Sequence, residues 1–144
     1  MNRLRRRRPR FQQTFWTPAE DAGKLTKTII SAGGLASGRI EIRQVVFEPE
    51  NLIALLAQHS LGPESVRELA IVADGQEEVG LLLRAAFSDW LDFVFTPDPK
   101  PFVIYADHDQ YTTLFSHTRS NLNSVVQPLE GDGFKTVEGY KRSL

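Results

Sequence analysis

Six arginines fall within the first ten positions, at Arg3, Arg5, Arg6, Arg7, Arg8 and Arg10, and no acid precedes Glu20. Like charges at this density repel, and Pro9 disfavours helix at Arg8, so residues 1–16 are expected to form an extended or disordered, flexible arm. The fold must be built from the residues beyond this arm. Of the 17 Lys and Arg in the chain six lie in the arm, so residues 11–144 hold 11 bases against 18 acids, a net of −7. The overall net charge of −1 thus conceals a cationic arm on an acidic body. Such an arm implies an anionic partner.

A chain of 144 residues is one domain by length, and a domain near this size buries about 70% of its unfolded surface. There is no cysteine, which excludes disulfides, thiolate zinc sites, iron–sulfur clusters and a cysteine nucleophile, and suits a reducing, cytoplasmic setting. No apolar run approaches the ~20 residues of a membrane span. Phe11–Trp16 is too polar and short for the core of a signal peptide, and the serines typical of a transit peptide are missing from the Arg-rich start.

Local signals give the elements. Thr17-Pro18-Ala19-Glu20 reads as a capping box opening an amphipathic helix over Ala22, Leu25, Ile29 and Ala32, which Gly33-Gly34 ends. Ser37-Gly38 closes what reads as a flexible hinge. Arg39–Phe47 reads as a strand with Ile40, Ile42, Gln44 and Val46 on one face and Glu41 and Arg43 on the other. A short helix follows Glu48-Pro49-Glu50, and a strand is expected over Glu68–Ala73. Asp74-Gly75-Gln76-Glu77 is a second capping-box pattern, and Val79, Leu82, Leu83, Ala86, Phe87 and Trp90 form the most regular apolar stripe in the chain. Strands are expected over Leu91–Thr96 and Phe102–Ala106, joined by the proline-rich turn at Pro97–Pro101. The last helix is expected from Asp109 to Leu129, and the last strand over Phe134–Lys141.

The fold class is therefore α+β: an antiparallel or mixed sheet with helices on one face. From Glu68 onward the order strand, helix, strand, strand, helix, strand is the split βαβ arrangement of ferredoxin-like folds. The divisions are an arm at 1–16, a helix and Gly-rich loop at 17–38 that extends the fold at its N-terminal side, and a single α+β domain at 39–144.

The densest polar cluster is Asp107-His108-Asp109-Gln110. Two carboxylates and an imidazole suit a divalent metal or an acid/base pair. Asp107 with Gln110 also reads as a helix cap, with Asp109 favoured by the helix dipole, and capping accounts for these residues without chemistry. Gly33–Arg39 lacks the Lys-Ser/Thr ending of a phosphate-binding loop and comes after a helix instead of preceding one, so that reading is rejected. Histidines at 59, 108 and 117 are too scattered for zinc, and no cofactor or metal is expected. Arg119, Ser120, Asn121 and Asn123 read as a solvated helix face, aligned with Thr113 and Ser116.

The function expected is that of a non-enzymatic binding module. Arg3, Arg5, Arg6, Arg7, Arg8 and Arg10 would contact an anionic partner, RNA or an acidic protein surface within a larger assembly, with Trp16 available for stacking. Two alternatives stand beside it. One is a small metal-dependent or acid/base enzyme centred on Asp107, His108 and Asp109. The other is an intracellular inhibitor or immunity-type protein acting through its acidic body.

Overall fold

The computed structural model describes residues 9–67 and 70–144. Arg3, Arg5, Arg6, Arg7 and Arg8 of the arm lie outside the described residues, as does Glu68 at the expected start of a strand. Among the described residues the elements are β1 (Phe11–Trp16), α1 (Ala22–Gly33), β2 (Ser37–Gln44), α2 (Glu50–Gln58), β3 (Ile71–Asp74), α3 (Gln76–Ser88), β4 (Asp92–Pro97), β5 (Val103–Ala106), β6 (Tyr111–Ser116), α4 (Arg119–Gly131) and β7 (Lys135–Val137). The strands form one seven-stranded sheet in the order β3-β2-β4-β5-β6-β1-β7. Every pairing in it is antiparallel. The class is α+β, and no helix among the described residues is long and apolar enough to cross a membrane.

All four helices pack on one face. Strand alternation sends Phe15, Ile40, Phe93, Phe95, Ile104 and Leu114 into the same core as Leu25 and Ile29 of α1, Leu52 of α2, Val79 and Leu83 of α3, and Val125 and Leu129 of α4. The opposite parity places Val94, Val103 and Phe115 in a small separate cluster on the helix-free face. Two split βαβ units result: β3-α3-β4 straddles β2, and β6-α4-β7 straddles β1. A ferredoxin-like order is not what the chain adopts from residue 71 onward, because three strands, β4, β5 and β6, stand between α3 and α4 where two were expected.

Several expectations are corrected. Residues 11–16 are not arm but strand, paired with β6 from Phe11↔Ser116 to Trp16↔Tyr111. The last helix begins at Arg119, not Asp109, because Tyr-Thr-Thr-Leu-Phe-Ser alternates as strand β6. Thr113 and Ser116 therefore do not align with Ser120 and Asn123; Thr113 is fully buried in the sheet and its hydroxyl bonds Thr14 at 2.6 Å. Thr17 caps no helix. Its hydroxyl donates to the Gln110 carbonyl at 3.1 Å and meets Thr112 at 2.7 Å, while Ala19 N–H donates to Gln110 Oε1 at 2.6 Å. Asp74 does not cap α3 either; its N–H donates to Glu78 Oε1 at 2.8 Å. Trp90 lies beyond α3, exposed beside Phe47, and a register shift between Ile42 and Gln44 ends β2 before Val46.

Nor is 33–39 a hinge. Gly34 closes α1 in the left-handed conformation (φ 59°), its N–H donating to Ile30 O at 2.8 Å. Gly38 is within β2, under the Phe95 ring. A Cβ there would overlap that ring and come 2.8 Å from the Thr96 carbonyl oxygen. Gly38→Ala is expected to destabilise the protein by about 1–3 kcal/mol, the cost of overpacking. The urea midpoint reads this; an unchanged midpoint would mean that β2 and β4 separate freely.

Candidate functional site

The helix-free face of the sheet carries a groove of about 570 Å³. Its floor is Val94, Val103 and Phe115, side chains that alternate away from the helical core. Arg39, Glu41 and Arg43 rise along β2, Lys100 comes from the β4–β5 connection and His117 succeeds β6. Glu41 is the one acid among these lining residues, and it pairs with Arg43 at 3.3 Å. Among the described residues, no carboxylate lies within ion-pair distance of Arg39 or Lys100. Pro9 also lines the groove. Arg10 and Arg119 both lie over the Phe11 ring, at 5.6 and 4.6 Å.

A run of rings and guanidinium groups crosses the other end of this face. Trp16 meets Tyr111 edge-on at 5.9 Å, and Tyr111 meets Tyr140 at 5.1 Å. Arg142 lies between Tyr140 and Tyr105, at 5.2 and 4.4 Å, and Arg43 lies 5.7 Å over Tyr105. Arg142 is anchored from several sides. Its guanidinium donates to the Tyr105 carbonyl at 3.0 Å and the Tyr140 hydroxyl at 2.9 Å, and pairs with Asp107. Its backbone exchanges two hydrogen bonds with the Gln12 amide, at 2.9 and 3.1 Å. Trp16 closes the run with 40% of its surface exposed.

The Asp107–Gln110 cluster is a β-hairpin turn, not a helix cap. Gln110 N–H donates to Asp107 O, Asp107 N–H to Tyr111 O, and Gln110 sits at φ 69°, a turn that ends in a left-handed bulge residue. Asp107 Oδ1 accepts from the Asp109 and Tyr111 N–H groups at 2.9 and 3.0 Å. Its other oxygen takes Arg142. The Asp109 side chain is 73% exposed, with Oδ1 3.9 Å from His108 Nε2. Asp107 is thus turned to Arg142 while His108 sits between Asp92 and Asp109, and among the described residues no three His, Asp or Glu side chains gather as a metal site.

The hairpin does pair His108 with Asp92, a residue the sequence did not bring forward. Nδ1 lies 2.7 Å from Asp92 Oδ1, and the His108 N–H donates to the same oxygen at 2.9 Å. This hydrogen bond raises the His108 pKa above its ordinary value, with the charges of Asp92, Asp109 and Asp107 adding to the effect and burial opposing it. Buried Asp89 is a structural group: it accepts from the Asn51 N–H (3.2 Å), the Asn51 side chain (2.7 Å) and the Leu52 N–H (2.8 Å), capping α2.

Of the residues expected to bind, Trp16 is placed on the helix-free face, and Arg10 lies over the Phe11 ring, which packs against the helical core. Arg39, Arg43, Lys100 and Arg142 were missed, although the outward parity of Glu41 and Arg43 on β2 was a usable signal. Comparison of the chain with protein-family models, curated proteins and solved structures finds no match.

Arg142→Ala should lower stability by about 2–3 kcal/mol, since it strands a mostly buried Asp107 carboxylate and removes charged hydrogen bonds. Chemical denaturation reads the loss, and a change below about 0.5 kcal/mol would mean surface-pair behaviour. A group whose pKa is raised on folding contributes stability that is complete below its unfolded value, near 6.5, and lost as pH rises through the folded value. The stability difference between wild type and His108→Gln should therefore be largest between the carboxylate range and about pH 6.5 and shrink at alkaline pH. Growth of that difference toward alkaline pH would contradict the Asp92 bond.

Proposed function

We propose that this protein is a non-enzymatic binding module that contacts an anionic macromolecule through its arginine arm and the groove at the arm's base. The carrying observation is one of charge placement. A body of net −7 gathers Arg39, Arg43 and Lys100 around one groove that Pro9 also lines, and five arginines precede Pro9 in the sequence. Guanidinium groups offer bidentate donors to phosphate or carboxylate, so RNA and an acidic protein surface both fit the chemistry. A cysteine-free chain suits work in the cytoplasm.

The net-acidic body would repel a polyanion and the arm would capture it, so binding should be strongly salt-dependent. For the full chain and a 20-nucleotide RNA, log affinity should fall linearly with log salt. Removing residues 1–10 should reduce that slope by up to ~4, at about 0.7 for each phosphate that the arm neutralises. Polyglutamate serves as the carboxylate probe. Absence of salt-sensitive binding to either polymer would overturn the reading.

A further inference from the structure

We infer that the helix-free sheet face takes a single-stranded nucleic acid, with phosphates on Arg39, Arg43 and Lys100 and an unpaired base on Trp16. This rests on the anionic-partner reading and names its ligand class. The two ends of the face are chemically different. The groove end offers cations over an apolar floor of Val94, Val103 and Phe115. The Trp16 end offers an indole with 40% of its surface exposed, on the same face as Tyr111, across which β1 pairs with β6.

Spacing argues for a polymer. Between β1 and β2 stand β6, β5 and β4, so Trp16 and the β2 arginines are separated by four strand spacings, about 19 Å. A free phosphate or single nucleotide cannot touch both; several nucleotides of extended strand can, as on other sheet surfaces that bind single strands with cations and stacking rings. An acidic protein surface would engage the cations and leave the indole unused. A nucleobase adds a flat π surface to it, and in a duplex that surface is already stacked. Arg142, held between Tyr105 and Tyr140 and paired with Asp107, orders the centre of the face.

The test uses the full chain and three probes of matched length: a uridine-rich single-stranded RNA, an abasic phosphodiester oligomer and polyglutamate. The RNA should bind at least about five-fold more tightly than the abasic oligomer, and Trp16→Ala should remove that advantage while leaving abasic binding unchanged. In a Trp90→Phe background, the remaining Trp16 fluorescence should be quenched by RNA and not by the abasic oligomer. This readout holds even if Trp16→Ala folds poorly. Arg39→Gln with Lys100→Gln should weaken both nucleic-acid probes. Equal, salt-sensitive binding of RNA and abasic oligomer with no quenching would overturn the inference and leave the anionic-partner reading standing. Tighter binding of polyglutamate would replace nucleic acid by an acidic protein, and no binding of any probe would overturn both.

Discussion

The pairing of β1 with β6 sets the layout of both faces of the sheet. Six residues in continuous register seat β1 inside the sheet, with β7 on its far side. Thr14–Thr113 and Thr17–Thr112 hydroxyl pairs lock that register on both faces, and Gln110 reaches from the β5–β6 turn to the start of the first helical segment. A one-residue slip would send Phe15 out of the core and Trp16 into it. β1 is interior, and Pro9, two residues before it, lines the groove.

The second constraint is that the sheet is covered on one side only. Four helices bury one face, and their own charges balance, Glu50, Glu77, Glu78 and Glu130 against Lys24, Lys27, Arg84 and Arg119. The other face keeps a thin apolar floor with cations on its rim. Arg39, Arg43 and Lys100 around the groove would draw a polyanion to the sheet side, the encounter that the proposed function requires. The segment around Arg142 shapes this face. Its hydrogen bonds with Gln12 and Tyr105 and its pairing with Asp107 tie the end of the chain to three strands or their turns.

Elements set by local periodicity could be read from the residues. Val79, Leu82, Leu83, Ala86 and Phe87 announce α3, and Phe93 with Phe95 announce the inner face of β4. Gly34 ends α1 where a left-handed residue is needed. The failures came where one pattern serves two structures. Asp-x-x-Gln fits a helix cap and also a hairpin turn, and only the strand partners of Tyr111–Ser116 decide between them. Phe11–Trp16 has just two inward apolar residues, Phe11 and Phe15, so its strand character depends on β6 and β7. The site-level contacts are longer in range still. His108 meets Asp92 across 16 positions and Arg142 meets Asp107 across 35, separations that no local spacing rule addresses.

Amide chemical-shift mapping of the full-length protein during titration with single-stranded RNA tests the assignment of the binding face most directly. Perturbations are expected to concentrate on β2 around Arg39–Arg43, on the Lys100 connection, at His117 and at Trp16, with α1, α2 and α3 unmoved. Perturbations confined to the helical face, or none at saturating RNA, would contradict it.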